Sequence, residues 1–254
     1  MKLADFLRAP ALGGALFLGA MSAASAHGVV GNRFFPATIN VEDPAVADEL
    51  ALPTASQFKG ADAAKETEIS AEFAKRITPK LGVSVEGAWT RSEEPGGSSA
   101  YGFQNVEIGL KYELLRNVEH EAIVSAGLGY EIGGSGAARV GAEDVSAFSP
   151  SLYFGKGLGD LPDALNWAKP FAVTGSLAYE MPTRERQTVT EEDALTGLPV
   201  SVVEENPEIG RLGLSLQYSL PYLRAHVKDY GLPEFVNRLV PVVEMSLERP
   251  LVRG

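Results

Sequence analysis

The side chains best placed to do chemistry in this chain are carboxylates. Glu68, Glu72, Glu86, Glu107, Glu113, Glu131, Glu180, Glu244 and Glu248 occupy the polar side of regularly alternating segments, and only Arg76, Lys111, Arg211 and Arg238 share that side with them. Such an acidic wall suits a pathway or binding surface that favours cations or neutral polar solutes over anions. The same groups could instead pair into salt-bridged networks that fill a small barrel. Glu72, Glu86, Glu107, Lys111, Glu131, Arg211 and Glu244 are the residues expected to line the interior.

Other chemistries have little to draw on. The absence of cysteine excludes disulfides, thiolate metal sites and a Cys nucleophile. Among the three histidines, His120 falls in a tight turn and His226 in a linker, so neither offers a positioned base on a strand face. His27 would follow a cleavage site at Ala26, where its α-amino group and imidazole could jointly chelate a copper-type ion. Equally, some residue must follow any cleavage site. Glycine strings such as GGSGAARVG and FGKGLGD read as turns rather than phosphate loops. The expectation is a protein that is not an enzyme and takes no cofactor. With 22 basic residues against 33 acidic ones, a net charge of -11 and a pI near 4.8, nucleic acid is no partner.

The elements that must position the carboxylates are strands. From Glu66 onward apolar and polar residues alternate at period two. The clearest segment sets Val106, Ile108, Leu110, Tyr112 and Leu114 against Asn105, Glu107, Lys111 and Glu113. Eight such segments can be read, near 66–76, 81–90, 105–114, 122–132, 148–158, 171–181, 211–220 and 238–248. Each has about the length a tilted strand needs to cross hydrocarbon. The links near 78–79, 116–119, 159–169 and 221–237 are mostly short, the last holding an amphipathic helix. Those at 92–104, 133–147 and 182–208 are longer and polar, the two-rim asymmetry of an outer-membrane barrel. Lys75 and Lys156 share the apolar parity and are tolerable only near strand ends.

At the other end of the chain, Lys2 and Arg8 precede an apolar stretch from Ala11 to Ala24, and Ala24-Ser25-Ala26 is a small-residue cleavage signature. Residues 1–26 are therefore expected to be a secretory signal peptide and 66–254 a β-barrel domain. Residues 27–65 between them are expected to form an arm with one short strand near Ala55–Phe58. A periplasmic or loop-like arm is the plainer expectation and a lumen plug the alternative. Alternation leaves the face undecided: a soluble lipocalin-like barrel buries the apolar side, whereas a membrane barrel turns it outward to lipid. Small residues such as Ser125, Gly127, Gly129 and Gly155 on the polar side favour the membrane form. So do Trp89, Tyr130, Trp167, Phe171, Tyr179 and Tyr222, placed as interfacial girdles would be.

The strings HGVVGNRFFPATI, DPAVADELALPT, ISAEFAKRITPKLGVS, GFQNVEIGLKYE, LQYSLPYL and GLPEFVNRLVP resemble a family of proteobacterial outer-membrane barrels. Its members are described as transporters and related to phenol-degradation-pathway outer-membrane proteins. The resemblance implies location in the Gram-negative outer membrane, with lipid as partner and a small solute as cargo. It supplies no catalytic residues. Members run on through further strands past the point where this sequence reads SLERPLVRG, so eight strands is a lower bound. The expectation is an all-β antiparallel transmembrane barrel of at least eight strands acting as a channel or transporter-like component. A non-conducting structural barrel and a soluble periplasmic ligand-binding barrel are the alternatives.

Overall fold

The computed structural model describes residues 28–38, 41–50, 53–59, 64–94, 97, 99–192 and 198–251. The expected leader, residues 1–26, and His27 lie outside them. The strands are β1 (Val29–Val30), β2 (Arg33–Phe34), β3 (Glu49–Leu50), β4 (Thr54–Lys59), β5 (Lys65–Thr78), β6 (Leu81–Glu93), β7 (Ser99–Phe103), β8 (Val106–Asn117), β9 (Ala122–Ile132), β10 (Ala147–Gly157), β11 (Phe171–Pro182), β12 (Arg186–Glu192), β13 (Pro199–Glu205), β14 (Glu208–Tyr218) and β15 (Val242–Leu251). The eight alternating segments correspond to β5, β6, β8, β9, β10, β11, β14 and β15. They form an antiparallel up-and-down sheet in the order β15-β14-β11-β10-β9-β8-β6-β5-β3, with β4 also on β5 and β7 also on β6. The sheet curls into a half-barrel. Among the described residues no ladder joins β15 to β3 or β4. No described helix is long and apolar enough to cross a membrane.

Local chemistry explains the tight turns. Thr78 Oγ1 accepts from the backbone N–H groups of Lys80 and Leu81 at 3.3 and 3.0 Å, closing the β5–β6 hairpin. Asn117 Oδ1 accepts from His120 N at 3.0 Å, and Glu121 then takes a φ of +46° to reverse the chain into β9. The longer links hold structure that alternation had not marked. β7 lies within 92–104, and β12 pairs with β13 as a two-stranded ribbon within 182–208.

The last link differs from expectation. The expected helix divides into α1 (Leu220–Tyr222), continued by a wider turn at Leu223–Val227, and α2 (Glu234–Asn237). β15 starts at Val242, directly after Pro241, so the segment read as beginning at Arg238 is shorter. Arg238 therefore lies at the rim, bonded to Glu234 Oε1 at 3.3 Å, and not on the inner wall.

The two faces of the sheet are unlike. On the convex face the apolar parity stands open: Leu110, Leu128, Leu152, Leu177, Leu216 and Met245 are all exposed, Leu177 by 57%. The concave face carries the polar and small parity, and there the core sits. Val30, Phe35 and Ala45 of the N-terminal arm pack on Ile123 and Ala172 inside the curl. The arm thus packs inside the curl at the short-turn end. Small wall residues make the room. A Cβ on Gly155 would come within 3.2 Å of Phe35 and 3.1 Å of Pro44, and one on Gly82 within 3.0 Å of Val46.

Candidate functional site

The concave surface divides into a filled end and an open end. At the short-turn end the arm is held by a buried cationic group. Arg33 is 0% exposed, and its Nε and one terminal nitrogen donate to Glu121 Oε2 at 3.2 and 3.0 Å. The guanidinium also donates to the carbonyls of Pro170 and Lys169 at 2.9 and 2.7 Å. Its carbon lies 3.9 Å above the Tyr222 ring. Gly157 lets the carboxylate approach, since a Cβ there would fall 2.1 Å from Glu121 Oε2. Tyr222, expected in an aromatic girdle, is instead buried in this cluster.

Further bonds fasten the rest of the arm. Gln217 Nε2 donates to Phe34 O at 3.0 Å, Val46 N donates to Glu113 Oε1 at 3.0 Å, and Ser125 Oγ donates to Pro44 O. Glu113 is only 2% exposed and also accepts from Arg116. Asp43 Oδ1 and Oδ2 accept from Ala45 N and Gly28 N at 2.7 and 2.9 Å, bracing the arm's own bend. Burial raises the Asp43 carboxyl to about 6, against the opposing pull of those N–H groups and of Lys111.

Above the arm the curl opens into a cavity of about 910 Å³. Glu72, Glu86, Glu107, Lys111 and Arg211 line it, together with Glu42 and Glu49 of the arm. The sheet register sets three of them side by side: Glu72 opposes Glu86, and Glu86 opposes Glu107. Glu107 in turn opposes Glu131, which accepts from Asn105 Nδ2 at 2.7 Å toward the long-loop rim. Four carboxylates therefore cross β5, β6, β8 and β9 in one row. Below the row, Lys111 donates to Glu42 Oε2 and Asp43 O, both at 2.9 Å. On the far wall Arg211 is paired with Glu180 and with Glu248, the latter at 3.0 Å. Glu244 opposes Ser215 on the concave face, outside the wide cavity.

Sequence reasoning placed the acids but missed the residues that fill the other end. Arg33 carried a signal: it is a lone charge among Val29, Val30, Phe34 and Phe35, and an apolar setting of that kind demands a buried partner. Nothing in the sequence named Glu121 as that partner, because it sits 88 positions away in a turn. Among the described residues no group of three or more His, Asp or Glu side chains is placed to hold a metal ion.

The two lysines on the apolar parity lie near the short-turn ends of their strands. Lys75 Nζ reaches Asp48 at 2.7 Å and Lys156 Nζ reaches Asp160 at 2.7 Å. Those ion pairs hold both carboxyls, which are exposed, below the usual carboxylate range. Aromatic contacts mark both ends of the convex face. Tyr130 and Phe148 meet at 4.8 Å toward the long loops, and Phe171 lies 4.7 Å from Tyr218 and 6.4 Å from Trp167 toward the short turns.

A scan against profiles of known protein families finds no match to this chain, and a search of curated proteins finds none either.

Proposed function

We propose that the protein is an outer-membrane channel or transporter-like barrel for small solutes, with an acidic interior that favours cations or neutral polar molecules. The observation that carries this reading is the direction of the alternation. Apolar side chains stand exposed on the convex face while carboxylates line the concave one, the reverse of a soluble ligand-binding barrel. The aromatic spacing adds support. Met181 is level with Phe148 and Tyr130, and from Met181 back to Phe171 the strand advances about 33 Å. At the tilt usual for membrane barrels that is about 25 Å of thickness, the height of a lipid-facing apolar band.

A second reading, a structural barrel that does not conduct, draws on the arm that fills one end of the curl. Two measurements test the proposal. A lipid-soluble photoprobe applied to intact cells should label Leu110 and Leu214 on the convex parity. Failure to label either removes the membrane placement. Planar-bilayer recording of the inserted protein should show a conductance that prefers cations. A barrel that inserts and never conducts leaves the structural reading in its place.

A further inference from the structure

We infer that the N-terminal arm, residues 28–38 and 41–48, is a displaceable plug latched by Arg33, and that its release opens the acidic cavity toward the short-turn rim. The inference rests on the channel reading above. Three features of the filled end carry it.

The arm is held by apolar burial as well as by polar contacts, with Val30, Phe35, Val41, Ala45 and Val46 each at most 5% exposed. Val30, Phe35 and Ala45 meet Ile123 and Ala172 in the core cluster. Its polar anchorage is spread over Glu113, Ser125, Gln217 and Arg33, and of these Arg33 joins the arm both to the β8–β9 turn through Glu121 and to the link before β11 through Lys169 and Pro170. Removing Arg33 leaves the buried Glu121 carboxylate without its cation.

The receptor for Arg33 is also built at a conformational cost. Glu121 is the sole non-glycine residue among those described with a positive φ, at +46°. It holds that conformation while its carboxylate faces the arm and its carbonyl accepts from Gly157 N at 2.9 Å. A left-handed glutamate in a turn is retained where the surroundings over-determine it, and such sites gather at clamps and switches. Finally, the arm forms the floor of the wide cavity. Glu42 faces the wide cavity, whereas Arg33 and Phe35 fill the end beneath it.

Because the chain has no cysteine, single thiols report on the arm without interference. Val41 is 1% exposed, so in a Val41→Cys protein the thiol should resist a maleimide reagent. Adding Arg33→Ala should raise the labelling rate by about tenfold or more and raise bilayer conductance with it. Glu121→Gln keeps the shape and loses the charge, so it should act in the same direction with a smaller effect, and it serves if Arg33→Ala does not insert. In a separate protein, Val46→Cys with Gly82→Cys places two thiols within disulfide reach, because a Cβ at 82 lies 3.0 Å from Val46 Cγ1. Oxidising that pair in the Arg33→Ala background should return conductance to the parent level, and reduction should restore the increase.

Unchanged labelling in both latch variants overturns the inference. So does raised labelling with conductance equal in parent, latch variant and tethered protein, although the channel reading then stands. If labelling shows the arm released and no form conducts, the channel reading fails and the plug falls with it.

Discussion

The two ends of the curl are built from the same strands and the same alternation, yet one resembles a protein core and the other a water-lined trough. At the short-turn end the wall residues are Ser125, Gly155, Gly157, Ala172 and Ile123, and an arm of the chain fills the space they leave. Toward the other end, on β6, β8 and β14, the wall becomes Glu86, Glu107 and Arg211 around about 910 Å³ of space. A packed layer and an acidic cavity thus occupy different halves of one molecule. Side-chain size alone does not decide which half is which, since Ser84, Gly109, Gly129 and Ser176 line the open end as well; the arm's own apolar residues, Val30 and Phe35, mark the filled one.

The sharpest way to break that contrast is to remove one arginine from each end. Arg33→Ala leaves the Glu121 carboxylate buried without its cation, and should cost about 3–5 kcal/mol of stability. Arg211→Ala removes a half-exposed group from water-facing pairs and should cost less than about 1 kcal/mol. Denaturant unfolding of the two variants in the same detergent or lipid reads the difference. Equal losses would mean the filled end is not a core in the energetic sense. Replacing both Arg33 and Glu121 by apolar residues of similar volume should recover part of the loss, the carbonyls of Pro170 and Lys169 being left without their donor.

Phenylalanines give the same comparison without charge. Phe35 is fully buried between the arm and Gly155, so Phe35→Ala should cost about 3–5 kcal/mol through lost burial and the cavity left behind. Phe73 is 46% exposed on the convex face, and Phe73→Ala should cost less, because it leaves no cavity inside the protein. Unfolding midpoints within error of each other would contradict the assignment of the core to the concave side.

How much of this was legible beforehand follows from what alternation can encode. Period two identifies β5, β6, β8, β9, β10, β11, β14 and β15 because each keeps one apolar and one polar face over its length. It places Glu72, Glu86 and Glu107 on a common wall for the same reason. It does not tell the outside from the inside, since both arrangements give the same string, and the exposed leucines of the convex face resolve that only once the sheet curls. The arm was opaque because its contacts are long in sequence and short in structure. β1 and β2 pair over two residues each, too few for any period, and the partners of Arg33 lie in turns. Arg238 was misplaced because Leu239 and Val240 continue the apolar pattern ahead of Pro241, whereas the strand starts only at Val242.

The pH dependence of the filled end should be carried in part by Asp43. Burial raises its carboxyl from the ordinary 3.8 to about 6, with Glu49 adding to the rise and Lys111 opposing it. A raised carboxyl stabilises the fold in acid. The contribution is fully present below 3.8, declines as pH rises toward about 6, and is absent above that. Asp43→Asn should lower stability overall, because an amide cannot accept from both Gly28 N and Ala45 N. Its unfolding midpoint should nevertheless lose less than the parent's across that pH window. Parallel curves for the two proteins would show that Asp43 is not titrating in the docked arm.

The smallest expected effect belongs to the open end. Glu107 has a glutamate directly opposite on each side, Glu86 on β6 and Glu131 on β9. Opposed like charges destabilise a sheet by a few tenths of a kcal/mol, so Glu107→Gln should stabilise the protein by about 0.2–1 kcal/mol at neutral pH and low salt. The gain should shrink at about 1 M salt, where the screening length is near 3 Å, and the preference for cations over anions should fall in the same variant. Glu131→Gln should gain less, because Asn105 already donates to that carboxylate. A gain at Glu107 that survives high salt would locate the effect in packing rather than charge. A loss in its place would mean the row is held together by shared protons, making the open end a bonded network like the filled one and ending the contrast between them.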